Sequence, residues 1–144
     1  MSWDKIVKAL AAAAGAVLGR FREWTNLHTI LVVLMLTDYV TGCVVAALGR
    51  SPKTESGGLS SKVGFIGLAK KGFIMAIVLL ATMLDRALGN TAMMFQTAAL
   101  CYYIANEGLS ILENAGLLGV PYPEKIRKAL ESLREKDKED NDDN

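Results

Sequence analysis

The chain has few of the residues on which enzymes, metal sites and disulfide-linked folds depend. Its 144 residues include one histidine and two cysteines, and no zinc-binding, nucleophile-elbow or phosphate-binding glycine motif occurs. Cys43 and Cys101 fall inside apolar runs, where buried thiols are expected, because a disulfide framework needs more cysteines and polar loops. His28 stands at the edge of an apolar run and is expected to be an interfacial residue. The sequence therefore predicts no enzyme, no cofactor and no metal ion.

Neither sign of charge dominates, and aromatic residues are few. Sixteen Lys and Arg residues stand against 15 Asp and Glu residues, and no basic cluster argues for a nucleic-acid partner. Aromatic residues make up 7% of the chain although 51% is hydrophobic, so the apolar residues are mostly Leu, Ala, Val, Ile and Met. This composition is typical of packed membrane helices rather than of a β-rich core. The length allows one small domain at most.

Residues 1–26 are predicted to form an N-terminal amphipathic helix. Apolar side chains recur in it at about 3.5-residue spacing; they are Leu10, Ala14, Val17, Phe21 and Trp24. The apolar stretch Ala9–Gly19 is shorter than the roughly 20 residues needed to cross a bilayer core about 30 Å thick. We therefore expect this helix to lie at the membrane interface, with a fourth span as the alternative.

Residues 27–122 are predicted to form a domain of three transmembrane helices, which makes the fold class an all-α membrane protein. Leu27–Leu48 has the length and apolar character of a span. A loop rich in Gly, Ser and Pro follows it over Gly49–Gly58. The third helix is predicted from Thr91 to Ala115, before glycines and prolines that end it.

The second helix of this domain is the shortest of the three predicted spans. Ser60 or Ser61 is placed to cap its N-terminus. Its apolar run between Lys71 and Asp85 covers only about 20 Å, so it spans the bilayer only if preceding residues are submerged and lysines reach towards the interface. Lys71, Val78 and Asp85 are seven residues apart and share one helix face.

Residues 123–144 are predicted to form a short amphipathic helix and a disordered acidic tail. The helix is expected from Pro123 to about Lys136, with Ile126, Leu130 and Leu133 on one side. The remaining KEDNDDN is acidic and is expected to be disordered. More Lys and Arg residues flank the spans on the side of this tail than on the other side, which predicts a cytoplasmic C-terminus.

Polar residues form a stripe along the third predicted span. They lie within about 40° of one line on a helix and are Gln96, Tyr103, Glu107, Ser110 and Asn114. A charge in hydrocarbon costs about 2.5–3.5 kcal/mol even on lenient scales, and a three-helix monomer has little interior. We therefore favour a stripe that faces other protomers or water. Glu113 does not share the face of Glu107.

Asp38 lies near the middle of the first predicted span, and two interpretations of it remain open. The carboxylate pairs inside the monomer with Lys70 or Lys71, or it faces other protomers or water. Gly42 and Ala46 follow it as a small-xxx-small pair, which allows another helix to approach closely.

Several motifs occur in the order and spacing of a known family. They are LTDYVTG at Leu36–Gly42, LSSKVG at Leu59–Gly64, AKKG at Ala69–Gly72, LD at Leu84–Asp85 and NEGLSILENAGLLGVPYPEKI at Asn106–Ile126. With these motifs the chain resembles the toxin-secretion and phage-lysis holin family over about Ile30 to Leu133. The N-terminal helix and the acidic tail lie outside the resemblance.

The resemblance implies a multi-pass protein of the bacterial cytoplasmic (inner) membrane. Such a phage or prophage protein accumulates in the lipid bilayer and then forms homo-oligomeric lesions, through which an endolysin or a toxin passes. The family has no catalytic residues to transfer, so the matching polar positions are candidates for assembly. Further residues on the same helix faces are added to these positions. The candidates for assembly are then Asp38, Thr41, Gly42, Lys70, Lys71, Asp85, Gln96, Asn106, Glu107, Ser110, Glu113 and Asn114.

Two other functions remain open at this point. An antiholin of the same family would keep this sequence but block the lesion. A small ion channel or ion-coupled transporter would bind a proton or cation at Asp38 or Glu107, although no internal repeat typical of transporters is visible.

Overall fold

The computed structural model describes residues 2–19 and 24–142, with side chains described for residues 2–16 and 24–135. The regular secondary structure of this part of the chain is all α-helical, as predicted, with no strand. Its helices are α1 (Trp3–Gly19), α2 (Asn26–Ala47), α3 (Ser61–Ala87), α4 (Met94–Leu117) and α5 (Glu124–Asp142).

Helix α1 stands apart from the other helices. Within the described residues no helix packs against it, and its apolar side chains Trp3, Val7 and Leu10 are exposed. The predicted apolar stripe is described only in part, because Phe21 lies outside the described residues. An interfacial position for α1 stays a prediction.

Among the described residues, α2 and α3 are the two helices long and apolar enough to cross a membrane. The α3 helix has 27 residues, because it begins at Ser61, well before the apolar run that made it look short. Ser60 caps it, since its Oγ accepts a hydrogen bond of 3.4 Å from Val63 N.

Apolar side chains are exposed along the outer faces of α2 and α3, as lipid-facing helices require. On α2 they are Ile30, Val33, Leu36, Val40 and Val44, and on α3 they include Phe65, Leu68, Phe73, Ile77 and Leu80. In water these faces would be left unburied, so they indicate a membrane.

Helix α4 is the centre of the bundle. It packs against α2, α3 and α5, whereas α2 and α3 contact each other only slightly. The core consists of apolar side chains from α2, α3 and α4, and these are Leu31, Met35, Val78, Leu100 and Ile104. A third span is not confirmed, because the polar residues of α4 lower its mean hydropathy below that of α2 and α3.

Helix α5 folds back along α4. Leu130 lies against Gly108, and Leu133 packs against the core. Gly119, with a φ of 74°, provides the left-handed residue after α4 that this reversal uses.

The C-terminal helix is longer than predicted. We expected it to end near Lys136 and to be followed by a disordered tail, but α5 continues to Asp142. No Gly or Pro interrupts Glu124–Asp142, so nothing in the sequence ends the helix earlier. A disordered tail is therefore not confirmed, and residues 143–144 lie outside the described part.

Candidate functional site, two buried polar clusters

Charged side chains from three helices meet inside the bundle. Lys71 Nζ on α3 lies 2.8 Å from Asp38 Oδ2 on α2 and 2.6 Å from Glu107 Oε2 on α4. The side chains of Lys71, Asp38 and Glu107 are 13%, 12% and 8% exposed, respectively. One ammonium group thus bridges two shielded carboxylates and ties the three helices to one point.

Asn114, which follows Glu107 on the same face of α4, also joins this group. Its Nδ2 lies 3.1 Å from Asp38 Oδ1 and 2.8 Å from Thr41 Oγ1. We call Asp38, Thr41, Lys71, Glu107 and Asn114 the Asp38 cluster. Every member makes at least one hydrogen bond to another member or to the Asp38 carbonyl, which is the condition for a tolerable buried polar network.

Small residues of α2 let α4 approach at this point. A Cβ on Gly42 would lie 3.9 Å from Asn114 Nδ2, and Ala46 is buried one turn further on. The predicted small-xxx-small pair therefore faces α4 within the same chain.

The Asp38 cluster carries a formal charge of −1 when its three ionisable groups are charged. Breaking a buried ion pair by removing one partner is strongly destabilising, because a charge is then left without compensation. By joining one side chain of α3 to carboxylates of α2 and α4, the cluster holds these three helices in register.

A second polar cluster lies at the other end of α4. Asp85, 3% exposed, accepts hydrogen bonds from Phe95 N at 3.0 Å, Gln96 N at 2.8 Å and Asn90 Nδ2 at 3.0 Å. The first amide groups of a helix have no partner within the helix, and a carboxylate there also compensates the positive end of the helix dipole. Asp85 at the end of α3 therefore fixes where α4 begins.

Side chains of all three helices extend this second cluster. Gln96 Nε2 donates to Thr82 Oγ1 at 2.7 Å and lies 3.5 Å from His28 Nε2. His28 Nδ1 accepts a hydrogen bond of 3.1 Å from Thr25 N. We call His28, Thr82, Asp85, Asn90 and Gln96 the Asp85 cluster; the apolar core lies between it and the Asp38 cluster.

The structure brings together most of the residues selected from the sequence. Five of them form the Asp38 cluster, and Asp85 and Gln96 belong to the second cluster. Lys70 and Glu113 are exposed, whereas Asn106 and Ser110 are half-buried on α4 and join neither cluster.

The orientation of the α4 stripe differs from our expectation. We expected it to face other protomers or water, but Gln96, Glu107 and Asn114 are buried against α2 and α3. The chain does have an interior for them, because α4 is inserted between α2 and α3 and covered by α5. Helical spacing identifies the polar face but not the helices that pack on it.

Sequence reasoning missed three members of the Asp85 cluster. His28 was expected at an interface, and Thr82 and Asn90 were not selected. The signal for Thr82 was its position one turn before Asp85, and for Asn90 its place in the turn before α4. No pattern linked His28 to Gln96, since they are far apart in the sequence.

Metal ligands are not grouped in this part of the chain. Among the described residues no set of three or more His, Cys, Asp and Glu side chains is arranged to hold a metal ion. Cys43 and Cys101 are half-buried and are not joined by a disulfide bond.

Comparisons with known proteins agree with the helical membrane character of the chain. A model of the bacteriophage holin family matches residues 12–135. An uncharacterized protein of Clostridium perfringens (strain 13 / Type A) is 43% identical over 116 residues, which cover 81% of each chain. An uncharacterized protein of Halalkalibacterium halodurans is 39% identical over 139 residues, covering 93% of each chain. No solved structure matches the chain.

A more distant relative has a descriptive name. The probable holin of Bacillus phage phi105 is 31% identical over 102 residues, which cover 70% of this chain and 69% of the phage protein. The family match begins at residue 12, so it includes part of α1, whereas the motifs that resemble the family begin only at about Ile30. With a match over most of its length, the chain belongs to the bacteriophage holin family.

Proposed function

We propose that the protein is a holin that oligomerises in the bacterial cytoplasmic membrane and forms lesions for host cell lysis. The lesions release an endolysin, or a toxin, from the cytoplasm. Family membership supports the general role, and the exposed apolar faces of α2 and α3 support insertion into lipid. The name of the phage phi105 relative supports an origin in a phage or prophage.

The observation that carries this proposal is the Asp38 cluster. Lys71 joins two carboxylates from different helices, so the buried carboxylate of α4, Glu107, is compensated inside each copy. Each copy can then accumulate in the bilayer without exposing the charges of this cluster to hydrocarbon, which would be costly. We infer that this shielded bundle is the unit that assembles when its surface density becomes high.

The proposed topology has α2, α3 and α4 as spans and the C-terminus in the cytoplasm. Lys and Arg residues beside the spans favour this orientation, and the partners are lipid, further copies of the chain and the passenger protein. Reporter fusions at residues 55 and 144 are the direct check. We expect both reporters on the cytoplasmic side, and a reporter at residue 90 on the opposite side.

Expression in a bacterial host that contains a cytoplasmic endolysin tests the function. We expect growth to stop abruptly and the folded endolysin to reach the cell wall. A small ion channel or transporter would dissipate ion gradients but retain the endolysin. An antiholin expressed alone would leave the cells growing.

Substitutions in the Asp38 cluster test the mechanism. We expect Asp38→Leu and Glu107→Leu to change the time of lysis and the size of the oligomers, because each leaves Lys71 with a single carboxylate. Glu113→Leu is the matched control, since Glu113 is an exposed carboxylate of the same helix. If both cluster variants insert and lyse cells on the schedule of the parent chain, the Asp38 cluster has no part in the mechanism.

A further inference from the structure

The outer faces of the bundle differ in chemistry from one side to the other. On one side α2 and α3 present apolar side chains such as Val33, Phe73 and Leu80. On the opposite side of α4 lies α5, whose sequence alternates acidic and basic residues. The described chain is therefore layered, with an apolar side, a central helix and a charged side.

The charged side, which α5 forms, lies level with the midpoint of the spans. Leu130 of α5 meets Gly108, the neighbour of Glu107, which binds Lys71 together with Asp38. Asp38 is close to the midpoint of α2, which covers Asn26–Ala47. The segment of α5 around Leu130 is thus level with the centre of a helix that is apolar enough to cross the bilayer.

The outer face of this α5 segment is charged and polar. Arg127 is paired with Glu124 and Glu131 on the helix surface, and Lys128 and Ser132 are exposed. Charged side chains at the centre of a bilayer are tolerated only where they face the bundle interior or a water-filled cavity. An α5 helix packed on α4 as described, with this face outward, is incompatible with lipid on that side.

We propose, on the basis of the holin function above, that α5 is the water-facing wall of the lesion. While single copies are dispersed in lipid, α5 lies in the cytoplasm, away from α4. When copies assemble and enclose water, α5 docks along α4, so that the apolar faces of α2 and α3 meet lipid and the charged face of α5 meets the lumen.

Helix α5 packs against α4 at Gly108. A Cβ at this position would lie 2.8 Å from Leu130 Cδ2 and 3.0 Å from Cδ1. Rotation of Leu130 can absorb one methyl group, but a full-sized side chain would push α5 away. On the same helix, a Cβ on Gly116 would meet nothing within 4 Å, which makes Gly116 a matched control.

The first experiment compares Gly108→Leu with Gly116→Leu in cells that contain an endolysin. We expect both to accumulate in the membrane, and Gly108→Leu to lose most endolysin release while Gly116→Leu keeps the schedule of the parent chain. Leu130→Ala introduced into Gly108→Leu should restore release, because it empties the space that the new side chain needs. Release by Gly108→Leu on the parental schedule would overturn the proposal.

The second experiment detects docking directly with a disulfide bond. In a chain with Cys43→Ser and Cys101→Ser, we introduce Gly108→Cys with Leu130→Cys, or Gly116→Cys with Leu130→Cys as control. Membranes collected before and after growth arrest are treated with copper phenanthroline. We expect the first pair to cross-link only after arrest, and the control pair to cross-link at neither time.

The outcomes separate this inference from the proposed function. If the parent chain releases no endolysin, both the holin function and the role of α5 are rejected. If the parent chain releases endolysin but the first pair already cross-links before arrest, or never does, only the inference on α5 is wrong.

Discussion

Lys70 and Lys71 are neighbours in the sequence but have different surroundings. Lys71 binds Asp38 and Glu107 inside the bundle, whereas Lys70 is exposed on the outer side of α3. The same residue type thus serves as an internal tie at one position and as a surface charge at the next. From the sequence, both lysines were equally good partners for Asp38; only the rotation of α3 about its axis, set by α4, distinguishes them.

We predict that Lys71→Met lowers the free energy of unfolding in detergent micelles by about 3–5 kcal/mol, because two buried carboxylates lose their counter-ion. Denaturant titration followed by circular dichroism measures this change. Lys70→Met, the same substitution one residue earlier, should leave the stability unchanged. Equal effects of the two substitutions would show that the Asp38 cluster does not stabilise the bundle.

Asn114 and Asn106 form a similar pair on α4. Asn114 Nδ2 contacts Asp38 and Thr41, whereas Asn106 joins neither cluster. We predict that Asn114→Leu costs about 1–3 kcal/mol in the same unfolding measurement, since it leaves buried acceptors without a donor. Asn106→Leu should cost clearly less, and the opposite order would contradict the position of the polar face.

At the scale of elements, the α2–α3 connection depends on one glycine. Gly57 has a φ of 73°, and a Cβ on it would lie 2.3 Å from the carbonyl oxygen of Gly49. Its own carbonyl accepts a hydrogen bond from Ser51 N at 2.9 Å, so the loop is closed tightly between Gly49 and Gly57. A side chain at this position conflicts with both the backbone conformation and the neighbouring backbone.

We predict that Gly57→Ala lowers the free energy of unfolding by more than about 1 kcal/mol, because alanine is incompatible with this backbone conformation. Gly58→Ala is the control, since its Cβ would approach only the Ser56 side chain, at 3.4 Å. Thermal unfolding of both variants in detergent provides the comparison. A loop that tolerates both alanines equally would not be closed as described.

Local patterns predicted the helices well and their arrangement poorly. The Gly, Pro and Ser residues between the apolar runs located the ends of α2, α3 and α4 within a few residues, because helix ends are determined by local backbone preferences. The seven-residue spacing of Lys71, Val78 and Asp85 correctly predicted one shared face. The central position of α4 could not be predicted, since helical periodicity reveals a polar face without naming its partner.

At the scale of the whole molecule, the described chain consists of one bundle and one separate helix. The bundle of α2–α5 is joined by the core and the two polar clusters, whereas no described helix packs against α1. Unfolding of the bundle should therefore be independent of α1 but, once α5 is docked, sensitive to α5, whose Leu130 and Leu133 pack on α4 and the core.

We predict that deletion of residues 2–19 leaves the unfolding midpoint of the bundle in detergent unchanged. Deletion of residues 124–144 should instead lower the free energy of unfolding of the assembled oligomers, in which α5 is docked on α4, by about 1–3 kcal/mol, the range expected for two leucines that are only partly buried. Both truncated chains are compared with the full-length chain by circular dichroism. A loss of stability on removal of residues 2–19 would reveal contacts of α1 with the bundle.

The central position of α4 has a consequence for the synthesis of the protein. Helices α2 and α3 are translated before α4, and they contact each other only slightly, so Asp38 and Lys71 can pair only with each other until Glu107 and Asn114 have been translated. A nascent chain that stops before α4 therefore holds two apolar helices joined by few polar contacts, the ion pair of Asp38 with Lys71 and the hydrogen bond from Tyr39 to the Gly64 carbonyl. Closure of the bundle must therefore wait until α4 has been translated, because α4 supplies Glu107 and Asn114 and packs against both α2 and α3.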